Sequence, residues 1–386
     1  MVINVKQVSG KTFWNNEYKN KTYYKPLTND EYTDILIIGG GITGAISAYY
    51  LSKSDKKITL VEKNLIGMSS TRATTALLEY QIDKLLKDDN SKKIVDSFHL
   101  CFKAIEDIKK ICKDIKCDCK IIDCVLFTNY DKKKKLLKEE KKIRKKQNFD
   151  VTYSDKDELI KVKGILRSKN ASIIINPYEF TCKLIEYLKD KINIYENTNI
   201  LNIVSKNNYH YCLTNNDNYI KTKNVIWCNG FDFSVKGSKL YKTFAIVTKP
   251  VKKLDNCFTG KDLEEPYNYI RFTEDNRIIY GGEDILYKKN FDNLDKLNIK
   301  ANKKYKKLFK RLVKLFPNKN LELDFCYNGT FANTKDTLPI IDEIKPNVYC
   351  NLGFGANGVL YSVLGAKYIY NKILLNKKLP TNFKIR

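Results

Sequence analysis

Short apolar runs and amphipathic segments alternate near the start of the chain. Residues 34–38 and 57–61 each continue from one charged residue into an apolar run of the length of a buried strand. Between them, residues 42–53 carry apolar side chains at helical spacing. Strand, helix and strand within such a short stretch predict a βαβ unit with parallel strands.

The pattern changes further along the chain. Residues 91–113 and 303–316 predict amphipathic helices, and the second of these is basic and ends before Pro317. The lysine-rich segment 131–147 has few apolar positions and is typical of a solvated helix. Several strand-type segments follow one another between residues 244 and 280, which favours an antiparallel sheet. The order predicts a dinucleotide-binding fold that is interrupted by a second domain.

A glycine motif follows the first predicted strand and opens the first helix. It reads Gly39-x-Gly41-x-x-Gly44, and Glu62 ends the next predicted strand. The three glycines allow a tight turn, close approach of a pyrophosphate, and close packing of helix on strand. Glu62 is placed to accept hydrogen bonds from ribose hydroxyls. The motif predicts a dinucleotide site, and at this point FAD and NAD both fit.

A second glycine motif lies near the end of the chain, at residues 353–358. Too few residues follow it for a complete second nucleotide-binding half. One interpretation is a helix N-terminus aimed at a cofactor bound elsewhere, where its partial positive charge favours an anionic reduced flavin. The alternative is close packing of a strand on a helix.

The distribution of charge and the spacing of the cysteines argue against two classes of function, nucleic-acid binding and metal binding. The net charge is +26, but the chain has 63 lysines and only seven arginines, spread throughout, so a nucleic-acid role is disfavoured. The cluster Cys112, Cys117, Cys119 and Cys124 lacks the paired spacing of a zinc or iron–sulfur site, and no metal site is predicted.

No apolar run is long enough to span a membrane, and no signal peptide is visible. A cytoplasmic location is expected.

Together these features resemble the D-amino acid oxidase family of FAD-dependent oxidoreductases, near glycine oxidase, sarcosine oxidase and gamma-glutamylputrescine oxidoreductase. The resemblance covers nearly the whole chain. The segments that carry it, besides the glycine motifs and Glu62, are Trp14, residues 26–27, 67–78, 176–180, 198–200, 225–230, 269–273, 278–282, 327–329 and 334–339.

The resemblance implies an α/β fold (α+β overall), with a Rossmann-like ββα FAD-binding domain and an inserted β-rich substrate domain. The implied division is an N-terminal extension at 1–33, a FAD-binding domain at 34–90, 176–235 and 325–386, and a substrate domain at 91–175 and 236–324. FAD is expected to be held non-covalently, because the segment 331–333 has no cysteine to link it. Relatives of the sarcosine type place a lysine near the flavin, in the strand that resembles residues 277–281. This chain has no lysine there.

The resemblance also implies which residues contact FAD. These are Gly39, Gly41, Ile42, Thr43, Gly44, Glu62, Lys63, Ser70, Thr71, Arg72, Thr75, Ala76, Leu77, Ile200, Asn229, Gly230, Gly355, Asn357, Gly358 and Val359. Ser70 to Arg72 are expected near the pyrophosphate, and Thr75 to Leu77 beside the flavin ring.

The expected reaction is oxidation of a C–N bond of a small amine or amino acid, with hydride transfer to FAD. Arg271 and Tyr269, on one strand of the substrate sheet, are the candidate catalytic residues. The guanidinium of Arg271 is expected to bind a substrate carboxylate. The alternatives are a flavin dehydrogenase that passes electrons to a partner protein, with segments 131–147 and 303–316 as docking faces, and a basic nucleic-acid-associated flavoprotein. Nothing in the sequence predicts the oligomeric state.

Overall fold

The structure is a computed structural model that describes residues 8–230, 238–252, 254–288, 294–352, 354–355 and 357–385. The helices within these ranges are α1 (Trp14–Glu17), α2 (Ile42–Leu51), α3 (Lys92–Asp114), α4 (Lys134–Lys146), α5 (Pro177–Leu188), α6 (Leu294–Leu315) and α7 (Gly358–Leu375). The strands are β1 (Val8–Gly10), β2 (Glu31–Ile38), β3 (Ile58–Val61), β4 (Leu78–Glu79), β5 (Lys120–Thr128), β6 (Val151–Ser154), β7 (Gly164–Ile174), β8 (Asn193–Tyr195), β9 (Ile200–Lys206), β10 (Tyr209–Thr214), β11 (Tyr219–Trp227), β12 (Ser238–Thr248), β13 (Phe258–Asp262), β14 (Asn268–Phe272), β15 (Ile278–Leu286), β16 (Leu323–Thr334), β17 (Ile340–Lys345) and β18 (Val348–Leu352).

The first sheet is built around parallel strands in the order β18-β11-β2-β3-β8. Strand β17 pairs antiparallel with β18, and β9 and β10 form an antiparallel extension of β11. Helix α2 packs against both α5 and α7. Strand β3 and the apolar second half of β2 are buried throughout, as in other parallel sheets that are covered on both faces.

The second sheet runs in the order β1-β16-β12-β15-β14-β13-β5-β7-β4, with β6 paired to β7. Its pairings are antiparallel except for β13 with β5. Helix α6 packs on β12, β15 and β16. The core between them includes Phe244, Ile270, Tyr280, Leu308 and Leu312. This sheet forms the second wall of the cavity described below.

The predicted βαβ unit and the predicted antiparallel strands between 244 and 280 are confirmed. The described part of the N-terminal extension contains β1 and α1, and β2 already begins at Glu31. Strand β16 crosses the expected domain boundary at residue 325 and pairs with β12 in the second sheet. Within the ranges that the structure describes, no helix is both long and apolar enough to cross a membrane.

Candidate functional site

A cavity of about 1020 Å³ lies between the two sheets. The carboxyl ends of β2, β3 and β11 open onto it, and strands of the second sheet close its far side. Ligands of open α/β sheets bind at the carboxyl ends of the strands. The volume reaches the upper end of the usual range for small-molecule sites.

The first glycine motif forms the turn between β2 and α2. A Cβ atom on Gly44 would overlap the carbonyl oxygen of Gly39, so this glycine lets the helix pack against the turn. A Cβ on Gly41 would meet only Thr71 Oγ1, at 3.3 Å, and would otherwise project into open space. The backbone N–H of Ile42 donates to Thr71 Oγ1 at 3.1 Å. The N-terminus of α2 therefore faces the cavity, which is the arrangement that binds phosphate groups.

The carboxylate of Glu62 lies where β3 ends, on the cavity wall. Its Oε2 accepts from the N–H of Gly40 at 2.8 Å, and its Oε1 accepts from the N–H of Asn64 at 3.0 Å. These bonds fix the carboxylate beside the glycine turn. Because a carboxylate offers about four lone-pair sites, Glu62 can accept ribose hydroxyls as well.

Most residues expected to contact FAD lie together on the cavity wall. They are Gly39, Gly41, Ile42, Thr43, Glu62, Lys63, Ser70, Thr71, Thr75, Ala76, Leu77, Ile200, Asn229, Gly230, Gly355, Asn357, Gly358 and Val359. Two of the expected residues, Gly44 and Arg72, do not line the cavity. Gly44 packs against the carbonyl oxygen of Gly39 within the turn. The Nε of Arg72 is buried and has no hydrogen-bond partner among the described residues.

The second glycine motif meets the same cavity, although Gly353 and Ala356 lie outside the described residues. Helix α7 begins at Gly358 on the cavity wall. Asn357 Nδ2 donates to the carbonyl oxygens of Glu79 and Gln81, at 3.0 and 3.2 Å. These bonds tie the start of α7 to the region of β4 in the second sheet. The placement supports the interpretation of a helix N-terminus aimed at a cofactor.

The residues of the cavity fit FAD. A glycine turn, a helix N-terminus and a carboxylate at the end of the second strand suit the dinucleotide part. The buried Oδ1 of Asn229 has no hydrogen-bond partner among the described residues, and Asn229 lines the cavity. A buried acceptor left without a donor is costly, and a ligand donor would satisfy it.

The far end of the cavity is polar and belongs to the second sheet. We refer to this end as the inner chamber, and its polar residues are Glu79, Asp83, Thr243, Lys261, Tyr267, Tyr269 and Asp284. The hydroxyls of Tyr269 and Thr243 are hydrogen-bonded at 2.6 Å. Burial raises the pKa of Tyr269 well above its usual value, so the phenol stays protonated.

Lys261, on β13, was not predicted from the sequence as a site residue. Its Nζ donates to the carbonyl of Ile82 at 2.9 Å and lies 3.3 Å from Asp83 Oδ1. Tyr267 donates to the same carboxylate oxygen at 3.0 Å. The strand segment 277–281 has no lysine, so the lysine that lines this end of the cavity comes from a different strand, β13.

Arg271 lies on β14 of the second sheet, as expected, but its side chain does not reach the cavity. The side chain is buried. The guanidinium donates to the carbonyls of Ala76 and Ile175, at 2.7 and 2.6 Å, and lies over the ring of Trp14. Burial lowers its pKa to about 9. Arg271 therefore holds the backbone beside the cavity, and its contacts do not support the expectation that it binds a substrate carboxylate.

All eleven cysteines are free thiols. Hydrogen bonding to Cys117 and burial raise the pKa of the Cys112 thiol, and Cys119 lies in the same group. Across the described ranges, no group of three or more His, Cys, Asp or Glu side chains has an arrangement that could hold a metal ion.

Comparison with known proteins agrees with this geometry. A family model described as FAD dependent oxidoreductase (DAO) matches residues 34–371. The chain is 22% identical to the probable oxidoreductase OrdL of Haemophilus influenzae, over 91% of this chain and 85% of that protein.

Two solved structures share the fold. For L-proline dehydrogenase from P. horikoshii the TM-score is 0.75 at 19% identity, covering 91% of this chain and 96% of that one. For glycine oxidase from Geobacillus kaustophilus the TM-score is 0.74 at 14% identity, covering 92% and 99%. The predicted fold class, the family resemblance and the FAD cofactor are confirmed. Since the family match spans most of its length, the chain belongs to the DAO family of FAD dependent oxidoreductases.

Proposed function

We propose that this chain oxidises a C–N bond of a small amine or amino acid. The observation that carries the proposal is one continuous cavity, which joins the dinucleotide turn at Gly41 to the inner chamber with Tyr269 and Asp284. Two structural relatives are named for enzymes that use an amino acid, proline or glycine. A small substrate in the inner chamber would lie next to the flavin ring if that ring binds beside Thr75 to Leu77, as expected.

FAD supplies the hydride acceptor in such chemistry, and the chain's own residues prepare the substrate. An amine must lose its proton before the neighbouring C–H bond can break as hydride, because the nitrogen lone pair forms the new C=N bond. The inner chamber offers polar groups that can bind and orient the nitrogen. Tyr269 and Thr243 hold each other in place on one wall.

Anaerobic mixing of the FAD-loaded protein with a panel of amines and amino acids tests this function. We expect at least one member of the panel to bleach the flavin absorbance without NAD(P)H. A hydroxy-acid and glycerol phosphate panel is the control for C–O oxidation. Reduction by the control panel alone would contradict the proposal.

We also expect FAD to be held without a covalent bond. Residues 331–333 contain no cysteine, and no cysteine is found on the described cavity wall except Cys228, whose thiol is buried beside Ser47 Oγ at 3.5 Å. Burial, opposed in part by the Ser47 hydrogen bond, raises the pKa of Cys228 to about 12, so it is a poor nucleophile. Acid precipitation should release the yellow chromophore into the supernatant, and flavin retained in the pellet would show a covalent link.

Electron transfer to a partner protein through α6 has less support. Three basic side chains of this helix, Lys304, Lys307 and Arg311, each lie 2.7 Å from the carboxylate of Glu283 within the protein. Part of the positive charge that suggested a docking face is therefore neutralised internally.

A further inference from the structure

The pairing of β12 with β15 is irregular beside the inner chamber. Lys242 pairs with Ile285 and Phe244 pairs with Gly282, so two residues of β15, Glu283 and Asp284, lie opposite the single residue Thr243. This is a β-bulge, a feature that re-aims side chains and is common next to active sites. Glu283 has a φ of +56°, which is unusual for a residue with a side chain.

Because of the bulge, the neighbouring carboxylates of Glu283 and Asp284 lie in different surroundings. Glu283 is fully buried and is neutralised by the three cations of α6. Asp284 lines the inner chamber instead. Its Oδ1 is shielded from solvent and has no hydrogen-bond partner within the described part of the chain. An unpartnered buried carboxylate oxygen is expensive, and a ligand that carries a positive charge and N–H donors would satisfy it.

The charges around the inner chamber also favour a cation. Its described wall holds the carboxyls of Glu79, Asp83 and Asp284 against the single ammonium of Lys261. That ammonium already donates hydrogen bonds to the carbonyl of Ile82 and the carboxylate of Asp83. The other lysines of the described wall, Lys63 and Lys345, belong to the side of the cavity built on the first sheet. Burial raises the pKa of Glu79, so the ionised carboxylate of Asp284 determines the sign of the charge above about pH 7. A substrate carboxylate would then meet repulsion here, whereas an ammonium group would meet attraction.

We propose that Asp284 binds the ammonium group of the substrate and accepts its proton, and that the substrate is an amine without a carboxylate on the reacting carbon. This inference rests on the proposed function and adds a substrate class to it. The proton passes from the ammonium nitrogen to Asp284 Oδ1, which frees the nitrogen lone pair. The lone pair can then form the C=N bond as the neighbouring C–H bond breaks, and FAD, when bound at the dinucleotide turn, would supply the acceptor for the hydride. The resulting imine hydrolyses in water to a carbonyl compound and ammonia, or an amine where the substrate nitrogen carries a second carbon.

The titration of Asp284 suits this role. Burial, and after it the neighbouring carboxylate of Asp83, raises the pKa of Asp284 to about 7, and the nearby Thr243 hydroxyl offsets part of this rise without satisfying Oδ1. The charged or titratable groups that face it are Asp83, Glu283, Lys304, Tyr267 and Tyr269. A carboxyl with this pKa can exchange a proton with a substrate near neutral pH.

Two probes of similar shape and opposite charge test whether the inner chamber prefers an ammonium group or a carboxylate. tert-Butylammonium has no hydrogen on the carbon that carries nitrogen, so it can bind but cannot be oxidised, and pivalate carries a carboxylate in place of the ammonium. Calorimetric titration of the FAD-loaded protein at pH 8 should give tighter binding of tert-butylammonium. Asp284→Asn should weaken that binding about tenfold to hundredfold, the factor for one hydrogen bond to a charged group, and leave or improve binding of pivalate. Asp255→Asn, at an exposed carboxylate, is the control and should change neither.

Measurements on the wild-type protein test the inference even if Asp284→Asn does not fold. Binding of pivalate as tightly as tert-butylammonium, or no binding of either, would overturn the inference. The rate of flavin reduction by propylamine should fall as the pH drops below about 7 in wild type, since the protonated carboxyl cannot accept a proton. It should lose that dependence in Asp284→Asn. If alanine reduces the flavin and propylamine does not, C–N oxidation stands and the inference fails. If no amine or amino acid reduces it, the proposed function fails.

Discussion

Gly41→Val is expected to yield a folded protein that contains no FAD. A Cβ at this position meets only Thr71 Oγ1 at 3.3 Å and otherwise enters the cavity, so the fold can accept the side chain. The added methyl groups would fill the space in front of the N-terminus of α2, where the dinucleotide phosphates bind. We expect FAD affinity to fall by at least about a hundredfold, measured as flavin content per chain after purification and by titration of added FAD.

Gly44→Ala is the matched control at the same turn. Its methyl group would overlap the carbonyl oxygen of Gly39, a backbone atom that cannot rotate away. This variant should lose stability as well as cofactor, whereas Gly41→Val should keep a cooperative unfolding transition and a native circular dichroism spectrum. A Gly41→Val protein that purifies with a full complement of FAD would show that the cofactor does not approach this turn.

Arg144→Met is expected to cost about 3–5 kcal/mol of unfolding free energy, the scale for breaking a buried ion pair. Arg144 Nε donates to Glu140 Oε1 at 2.8 Å, and both side chains are fully buried. The guanidinium also donates to Tyr80 Oη at 2.8 Å and to Gln81 Oε1 at 3.1 Å. Methionine would leave the Glu140 carboxylate buried and without its counter-ion. Urea unfolding monitored by circular dichroism measures the change.

Lys145→Met provides the comparison, because Lys145 is the next residue of α4 and is exposed. It removes the same charge from the same helix and should change stability by less than about 0.5 kcal/mol. Equal effects of the two substitutions would mean that the loss comes from the net charge of α4. In that case the buried ion pair would contribute nothing of its own.

The dinucleotide turn could be predicted because its pattern is local. A strand, three spaced glycines, a helix and a second strand ending in Glu62 follow one another closely, and each residue type meets a stated steric or hydrogen-bonding need. The structure places Gly39, Gly41 and Glu62 on the wall of one cavity, as that pattern implies.

Residues whose surroundings come from distant parts of the chain were not predicted. Arg144 and Glu140 lie in a lysine-rich segment that is typical of a solvated helix, yet they face Tyr80 and the N–H groups of residues 86 and 87. Asp284 follows another acid, and a pair of acids usually indicates a surface. Its exposure to the inner chamber depends on a bulge against β12, which the sequence does not reveal.

The contacts of Arg271 could not be predicted for a related reason. The sequence indicates that its strand belongs to a sheet, but not that β14 lies between β13 and β15. It also does not show that the carbonyls of Ala76 and Ile175 face the same side chain. The sequence therefore indicated that this arginine lies on a sheet strand between apolar neighbours, but it could not indicate which backbone groups the guanidinium contacts.

The short pairing of β1 with β16 has a consequence for self-association. Val8 to Gly10 cover the backbone of Tyr327 to Gly329, which would otherwise form the outermost part of the sheet. Exposed N–H and C=O groups on an outer strand can recruit a strand from a second molecule and so begin aggregation. Along Tyr327 to Gly329, Val8 to Gly10 thus occupy the backbone groups that a strand of another copy would need.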